Sequence, residues 1–597
     1  MSKTLVRLAA SILLVLPLVL ASSSPLSAQT CGPWRWANPD PQGNALKGVA
    51  YGGGQFVAVG RAGTVLGSAD GLTWEPRASN TTHDLHDVVW TGSVFVAVGA
   101  SGSVHVSPDG IAWGARISGA RADLHRVVWG GSQFVAVGEE GVILTSPDGS
   151  FWTSRASGTG LALYDVAWNG SGFVAVGNGG AVVKSADGAH WTLVDSGTRD
   201  AFNAVAWTGS GYVVSALGFP YEPRIYTSQN GTSWRDNPGR AAADLRRLIW
   251  TGSGLLGVGA TGAIAAGADG STLSPRASGT PLDLFALAQG PTGIAAVGAR
   301  GTILFSADGA AWSDRAPGPR TAYSDAAWSG STYVAVGEAG GIATSPTGEV
   351  WTRRESGTFR WIHGVAWNGS IFAAVGEAGT ILTSPDGIAW TPRSGAFGQH
   401  LFGILWDGRR FLAVGSGGAV VTSADGSSWS FRSAGSKLLY SVASSGSDYV
   451  AVGGELSGWI VSSPDGATWT RRDTPGALPP IYDVVWNGAE YLAVGAHGQV
   501  LRSADGAAWV EGSLGEDRRF FSVAWTGSLY EAVGEDGAAA ESVDGRTWSA
   551  RASGSAGDLY GVAWEGSRLL GLGKGGTILD GGCNAIQRRT SAVLRDR

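Results

Sequence analysis

One repeat unit decides the fold of this chain. It reads Leu163-Tyr164-Asp165-Val166-Ala167-Trp168-Asn169-Gly170-Ser171-Gly172-Phe173-Val174-Ala175-Val176-Gly177, and after a Gly-rich turn it ends in Ser185-Ala186-Asp187-Gly188-Ala189-His190-Trp191. The closing motif, Ser-x-Asp-Gly-x-x-Trp, recurs about every 39 residues along the 597-residue chain. A unit repeated at this period indicates an array such as a solenoid or a propeller, rather than one large core.

Each unit reads as four short strands. The Val-Ala-Trp stretch is the first strand, and a pair such as Asn169-Gly170 supplies the positive φ angles that a two-residue hairpin needs. The apolar run Phe173–Val176 is typical of a strand buried on both faces. The Asp motif then turns the third strand into the fourth. Four-stranded units of about 40 residues predict the blades of an all-β propeller.

The sequences of the two chain ends predict that together they form one unit. Thirteen units are complete, whereas the fourteenth begins at Leu559 and stops at Cys583, where its Asp motif should begin. The segment Cys31-Gly32-Pro33-Trp34 resembles the missing tail of that motif. We therefore predict that the N-terminal segment supplies the fourth strand of the last blade.

Fourteen blades fit two seven-bladed propellers in tandem, since known propellers have about four to eight blades; the alternative is one large ring. The predicted domains are a strand segment at 29–44, a first propeller at 45–318, a second propeller at 319–583 and a basic tail at 584–597. The tail is expected to be disordered or to form a short surface helix.

Residues 1–28 read as a signal peptide. Lys3 and Arg7 precede an apolar stretch from Leu8 to Ala21, which is shorter than a membrane span, and Leu26-Ser27-Ala28 fits a cleavage site. Cys31 leaves a lipoprotein open as an alternative. We expect an exported protein, secreted or periplasmic, with no membrane span. In such a compartment Cys31 and Cys583, the two cysteines of the chain, are expected to form a disulfide, the alternative being two free thiols.

Composition argues against several classes of function. The net charge is -6 and no basic stripe occurs, so we do not expect a nucleic-acid partner. The eight His and two Cys show no metal-ligand spacing, and neither a phosphate-binding loop nor a nucleophile elbow is present, so we expect no metal, no cofactor and no catalytic residues. A monomer is expected.

The repeat resembles known families at its Asp motif. Ser-x-Asp-Gly-x-x-Trp resembles the Asp-box of bacterial neuraminidase-type (BNR) repeats. The longer stretch Gly301-Thr302-Ile303-Leu304-Phe305-Ser306-Ala307-Asp308-Gly309 is similar to the photosystem II stability/assembly factor family and its bacterial relatives. This resemblance covers nearly all of the mature chain and implies a β-propeller with a binding or assembly role.

The repeated acidic residues are predicted to be structural. An Asp in a tight turn accepts backbone N–H groups, and a single active site would not recur in a dozen copies. This set comprises Asp70, Asp109, Asp148, Asp187, Asp308, Asp386, Asp425, Asp465, Asp505 and Asp544.

Positions at which the blades differ are better candidates for function. The residue two before the Val of each first strand is polar or cationic through most of the first seven blades and mostly aromatic through the next seven. Strand alternation favours packing between blades for these side chains; the alternative is that they surround the opening of each ring, on the face of the Gly-x-x-Gly turns. With two tryptophans outside the repeat, the candidates are His86, His125, Tyr164, Arg246, Trp361, His363, Phe402, Tyr440, Trp459, Tyr482, Phe521 and Tyr560.

Two functions follow from these patterns. The first is an exported non-catalytic scaffold that binds a protein or a glycan on this face. The alternative is a glycoside hydrolase with a cleft between two propellers, which would need two facing carboxyl groups.

Overall fold

Fourteen four-stranded antiparallel sheets make up the protein, as seen in a computed structural model that describes residues 31–38, 42–237, 243–270, 272–316, 320–393, 398–472, 476–565 and 568–582. These residues contain no α-helix, and none of their helical turns is long and apolar enough to span a bilayer. The predicted all-β propeller fold is confirmed. The signal peptide, Cys583 and the basic tail lie outside the described residues.

We number the sheets as blades 1 to 14 in chain order and the strands of each blade as first to fourth. The first strands are Leu46–Gly52, Leu85–Trp90, Leu124–Trp129, Leu163–Trp168, Ala201–Trp207, Leu245–Trp250, Leu284–Gly290, Tyr323–Trp328, Ile362–Trp367, Leu401–Trp406, Leu439–Ser444, Ile481–Trp486, Phe520–Trp525 and Leu559–Glu565. The second strands are Gln55–Gly60, Phe95–Gly99, Phe134–Gly138, Phe173–Gly177, Tyr212–Gly218, Leu255–Gly259, Gly293–Gly298, Tyr333–Gly337, Phe372–Gly376, Phe411–Gly415, Tyr449–Gly453, Tyr491–Gly495, Tyr530–Gly534 and Arg568–Gly573.

The outer half of each blade is shorter. The third strands are Val65–Ser68, Val104–Ser107, Ile143–Ser146, Val182–Ser185, Glu222–Ser228, Ile264–Gly267, Ile303–Ser306, Ile342–Ser345, Ile381–Ser384, Ala419–Ser423, Trp459–Ser463, Gln499–Ser503, Ala539–Ser542 and Ile578–Asp580. The fourth strands are Glu75–Arg77, Gly114–Arg116, Thr153–Arg155, Thr192–Val194, Arg235–Asp236, Ser274–Arg276, Ser313–Asp314, Thr352–Arg354, Thr391–Pro392, Ser430–Ser433, Thr470–Arg471, Val510–Ser513, Ser549–Ala550 and, for blade 14, Arg35–Asn38.

Single 3-10 turns join the second and third strands of twelve blades. They are Arg61–Gly63, Ala100–Gly102, Glu139–Gly141, Asn178–Gly180, Ala260–Gly262, Ala299–Gly301, Glu338–Gly340, Glu377–Gly379, Ser416–Gly418, Ala496–Gly498, Glu535–Gly537 and Lys574–Gly576.

Aromatic side chains hold each blade together. In blade 4, the ring centroid of Trp168 lies 4.4 Å from that of Phe173, which in turn lies 6.2 Å from Trp191 of the Asp motif. The second strand, which begins at Phe173, is fully buried, as its continuous apolar sequence predicts. Offset aromatic pairs of this kind add about 0.5–1.5 kcal/mol each beyond the area that they bury.

The Asp motif is a closed set of hydrogen bonds. In blade 3, Asp148 Oδ1 accepts the backbone N–H groups of Ser150 and Phe151 at 2.8 and 3.2 Å. Ser146 Oγ accepts the N–H of Gly149, and Trp152 Nε1 donates to the Gly149 carbonyl. The N–H bonds lower the pKa of Asp148. These contacts are local to the turn and give the repeated carboxylates a structural role.

The blades form two closed rings. The first strands of consecutive blades pack against each other from blade 1 to blade 7, and the first strand of blade 7 packs back against that of blade 1. One core cluster joins Leu46 and Phe56 of blade 1 to Phe305 of blade 7. Blades 8 to 14 close in the same way, with Tyr323 of blade 8 in one cluster with Leu570 of blade 14. The seven-bladed sets are hereafter ring 1 and ring 2.

The N-terminal strand belongs to ring 2, although it precedes ring 1 in the sequence. Arg35–Asn38 pairs antiparallel with Ile578–Asp580 as the outermost strand of blade 14. The side chain of Trp34 is buried in the same blade, with the Arg551 guanidinium 5.1 Å from its ring. The chain therefore passes between the rings twice, before blade 1 and after blade 7.

The Asp motif of blade 8 offers a test of the turn, because Thr347 replaces its Asp. The Thr347 hydroxyl accepts one backbone N–H, from Glu349 at 3.3 Å, whereas Asp308 in blade 7 accepts two, from Ala310 and Ala311. We expect Thr347→Asp to raise the free energy of unfolding of ring 2 by about 1 kcal/mol, since it adds a charge-assisted acceptor. Urea unfolding measures this. Asp308→Thr should lower the stability of ring 1 by a similar amount, and equal stabilities in all three proteins would contradict this role of the turn.

The Cys31–Cys583 disulfide stays a prediction, but the residues that flank the two cysteines form a hydrogen bond. Gly32 N donates to the Gly582 carbonyl at 3.2 Å, so the residues next to the two cysteines are in contact. We expect the protein purified under oxidising conditions to resist thiol alkylation until it is reduced, and Cys31→Ser to lower its stability by about 2–5 kcal/mol. Mass spectrometry after alkylation checks the bond; labelling of both cysteines without reductant would disprove it.

Candidate binding sites at the ring mouths

A β-bulge lies at the same place in all fourteen first strands. In blade 3, Leu124 pairs with Gly138 and Arg126 pairs with Val137, which leaves His125 as an extra residue without a partner in the register. The other first strands have the same irregularity. We call the extra residue the bulge residue. A bulge interrupts strand alternation and redirects one side chain.

The bulge residues are the variable positions singled out in the sequence, and they meet at the ring axes. Those of ring 1 line a cavity of about 520 Å³, the mouth of ring 1: Lys47, His86, His125, Tyr164, Asn203, Arg246 and Phe285. Those of ring 2 line a cavity of about 540 Å³, the mouth of ring 2: Ser324, His363, Phe402, Tyr440, Tyr482, Phe521 and Tyr560. Strand alternation predicted packing between blades, with the ring openings as the alternative. The structure shows both: these side chains line the two cavities, and neighbouring ones such as Tyr440 and Tyr482 contact each other across blades.

The mouth of ring 1 is polar and internally bonded. Arg246 donates to Asp283 at 2.9 Å, and the Lys47 ammonium lies 3.8 Å from the centroid of the Phe285 ring. His125 Nε2 lies 2.8 Å from a carboxylate oxygen of Glu139. Burial lowers the pKa of Lys47, and the neighbouring Arg246 lowers it further. This mouth has cationic and imidazole groups, several of which already have partners.

The mouth of ring 2 is surrounded by a closed circle of aromatic rings. Neighbouring centroids lie 4.9–6.1 Å apart around the whole circle. Blade 8 contributes only Ser324 as its bulge residue, and Trp361 fills that gap by stacking on His363 and reaching Tyr560. We call this circle the aromatic girdle: Trp361, His363, Phe402, Tyr440, Tyr482, Phe521 and Tyr560.

A second tier of side chains lies one residue after each bulge, deeper along the axis. In ring 1 it contains a buried ion cluster: Arg247 bonds Asp165 at 2.9 Å, and Arg126 lies 3.4 Å from Asp87 and 3.6 Å from Asp165. Each of these carboxylates also accepts a backbone N–H from the next blade, as Asp165 does from Val205 at 3.0 Å. The cluster therefore closes the axis of ring 1 and joins its blades.

In ring 2 the same tier carries acids without the arginines. Asp325 accepts the N–H of Val365, and Asp483 accepts that of Val523 together with the hydroxyls of Ser441 and Ser522. Burial raises the pKa of Asp325 to about 7, and the Asp483 carboxylate adds to this rise. Burial likewise raises the pKa of Asp483. Both side chains line the floor of the mouth.

A further acid lies below the floor of ring 2. Asp325 also borders a second cavity of about 430 Å³, which Glu565 and the first-strand tryptophans of several blades surround. Glu565 accepts the N–H of Trp328 at 3.1 Å. Burial raises the pKa of Glu565 to about 8, and Asp325 contributes to this rise. The axis of ring 2 therefore carries three carboxyl groups with raised pKa values.

Two groups of residues considered in the sequence lie elsewhere. Trp459 is on the third strand of blade 11, where Arg471 stacks 4.3 Å from its ring, so it is apart from the girdle. Acids that precede first strands fix the turn of the preceding blade, as Asp84 does for Ala62 and Asp123 for Ser101, with N–H to carboxylate distances of 2.8 Å. No group of three or more His, Cys, Asp or Glu in the described ranges is placed to hold a metal.

Sequence reasoning missed Asp325 and Asp483, although a signal for them existed. The second-tier position reads Gly, Asp, Arg, Asp, Ala, Arg, Ala through ring 1 and Asp, Gly, Gly, Ser, Asp, Ser, Gly through ring 2. This position varies in charge as strongly as the bulge position does, and its Arg residues are confined to the first seven blades.

No protein-family model matches the chain, and no curated protein matches it. Two similar solved structures are described as "YCF48 bound to D1 peptide" and "YCF48 from Cyanidioschyzon merolae". The first is 19% identical to this chain, with a TM-score of 0.39, and the matched region covers 44% of this chain and 92% of the YCF48 chain. The second is 17% identical, with the same TM-score of 0.39, and the matched region covers 44% of this chain and 97% of the YCF48 chain.

Because ring 2 contains buried acids with raised pKa values, we expect its free energy of unfolding to fall as the pH rises. An exposed Glu titrates near 4.5, but folded Glu565 titrates at about 8. Between these pH values the folded state keeps a proton that the unfolded chain releases, so stability falls by about 1.4 kcal/mol per pH unit for one such group. Glu565→Gln is expected to flatten this decline in urea unfolding from pH 5 to 8.

The matched control is Glu355→Gln, because the Glu355 side chain is 89% exposed. Its pH profile should follow that of the unmodified protein. A Glu565→Gln profile as steep as that of the control would mean that Glu565 is ionised in the folded state at neutral pH.

Proposed function

We propose that this protein is an exported, non-catalytic β-propeller scaffold that binds a protein or glycan ligand at the mouths of its two rings. One observation carries the proposal: the bulge residues, at which the repeat varies most, converge on two cavities of about 520 and 540 Å³. Elsewhere the repeat is regular and its polar groups bond within their own turns. Cavities with convergent polar and aromatic side chains are the usual location of binding sites.

The finer parts of the proposal come from the sequence. The signal peptide at 1–28 supports export to the periplasm or beyond the cell. The Ser-x-Asp-Gly-x-x-Trp turns support a relationship to the Asp-box repeats, and through them to the photosystem II stability/assembly factor family. A monomer with a disulfide between Cys31 and Cys583 completes the proposal.

The hydrolase alternative depends on a cleft between the rings. The crevice there measures about 250 Å³, and the charged groups that line it are Asp536, Asp558, Arg61, Arg300 and Lys574. The Asp558 carboxylate already has a hydrogen-bond donor, the backbone N–H of Asp536 at 3.0 Å. Within the described ranges, the lining of the crevice includes no aromatic side chain on which a sugar could stack. The binding role is therefore the function that we propose.

Array screening with mouth variants tests the proposal. The mature protein is applied to glycan and peptide arrays together with Tyr482→Ala, which opens the mouth of ring 2, and Arg246→Met, which removes a cation from that of ring 1. A ligand held at one mouth should lose about tenfold or more in affinity in the corresponding variant, as truncation of a central contact residue does.

The control is Phe151→Ala, because Phe151 is a 78% exposed aromatic residue of an Asp turn outside both mouths. It should bind as the unmodified protein does. Ligands that bind equally to all variants would exclude the mouths as the binding surface. Release of reducing sugar from a bound glycan would instead support the hydrolase.

A further inference from the structure

We propose that the mouth of ring 2 binds the ammonium group of an organic cation, such as a quaternary ammonium compound or a lysine side chain. This inference rests on the proposed binding function and names the chemistry of the ligand. Three features of the mouth support it: the aromatic girdle, the carboxylates on its floor and a set of glutamates around its rim.

The aromatic girdle presents π surfaces from every side. Its members are half-buried, and the cavity of about 540 Å³ lies between them. The face of an aromatic ring attracts a cation whose centre lies within about 6 Å, and this attraction grows to about 2 kcal/mol or more where water is excluded. Several aromatic faces around one cavity form the arrangement that recognises alkylated ammonium groups.

The girdle itself carries no positive charge at neutral pH. Burial lowers the pKa of His363 to about 4, so its imidazole is neutral. Burial raises the pKa values of Tyr440, Tyr482 and Tyr560, which therefore keep their phenolic protons. A cation that enters the mouth meets neutral rings with electron-rich faces.

The floor places two carboxyl groups directly below the girdle, and a cation bound there would favour their ionised forms. Asp325 and Asp483 line the cavity and are held by backbone and serine donors. In ring 1 the equivalent acids bond to Arg126 and Arg247, whereas no Lys or Arg among the described residues forms a salt bridge with Asp325 or Asp483. A ligand ammonium would take the place that the arginines occupy in ring 1.

The rim of ring 2 is acidic as well. The Gly-x-x-Gly turns of blades 8, 9 and 13 each place a Glu at the first variable position, and the longer turn of blade 11 carries another. We call these residues the acidic collar: Glu338, Glu377, Glu455 and Glu535. Each acts electrostatically on a girdle residue, as Glu377 does on His363. Arg519 pairs with Glu535 at 2.9 Å and Lys574 occupies the equivalent position of blade 14, so the collar retains a smaller excess of negative charge. Such a rim attracts cations toward the mouth.

Choline and its neutral isostere 3,3-dimethyl-1-butanol provide the sharpest test, because they share a shape and differ in charge. Isothermal titration with the mature protein should show choline binding about tenfold or more tightly than the alcohol. Short peptides with one lysine or one trimethyllysine form a second arm. Tighter binding of the peptides would identify a protein as the source of the ammonium group; tighter binding of choline would identify a small molecule.

Variants that keep apolar volume separate the π contribution from simple burial. Phe402→Leu and Phe521→Leu should each weaken choline binding severalfold and leave the alcohol unchanged, since leucine is apolar but has no π face. Phe151→Leu, outside the mouth, should leave both unchanged. Thermal unfolding of each variant verifies that ring 2 is folded.

Two results would overturn the inference. One is equal affinity of choline and the alcohol; the other is that no ammonium probe binds at concentrations up to about 10 mM. These results would leave the broader proposal intact if Tyr482→Ala weakened the binding of an array ligand. The mouth would then be a binding site for a ligand of different chemistry. If neither Tyr482→Ala nor Arg246→Met weakens the binding of any ligand, both proposals fail.

Discussion

One extra residue in each innermost strand determines what the centre of this protein presents. Before the bulge, the first strand anchors the blade with a buried side chain such as Leu124; after it, the strand again alternates in register with its neighbour. The bulge residue lines the ring mouth, where it contacts the bulge residue of the neighbouring blade, as Tyr440 does with Tyr482. Because all fourteen blades share this irregularity, the repeat tolerates almost any side chain there, and the two mouths could diverge without disturbing the cores.

Much of the fold was accessible from the sequence, because its determinants are local and repeated. The Asp motif shows a turn, the run Phe173–Val176 shows a buried strand, and the incomplete unit at Leu559 shows how the last blade is finished. The position of the candidate site was not accessible in the same way. Period-two alternation assigns His125 and Phe402 to the blade interfaces, and a bulge depends on pairing with a partner strand, which the hydrophobic pattern does not record.

Closure of ring 2 makes the two rings dependent on each other. The strand Arg35–Asn38 completes blade 14, yet the chain then continues into blade 1 of the other ring. Asn44, at the start of ring 1, donates to the Gly554 carbonyl and accepts the N–H of Ala556, both in ring 2. This strand completes blade 14 from the other end of the chain, and so links the two chain ends within one sheet. The same segment fastens the rings together where they meet.

The second tier shows that the two rings resolve one electrostatic problem differently. A carboxylate on the axis joins neighbouring blades by accepting an N–H from the next first strand, but its burial favours the neutral form. Ring 1 compensates with Arg126 and Arg247, and its axis is filled by fixed ion pairs. Ring 2 has glycine or serine at the remaining second-tier positions, so Asp325 and Asp483 stay near an open cavity with raised pKa values. Carboxyl groups without a cationic partner reduce stability as they ionise, and the cation that we propose for this mouth would offset that loss. The proposal therefore couples the stability of ring 2 to its occupancy, which the filled axis of ring 1 does not allow.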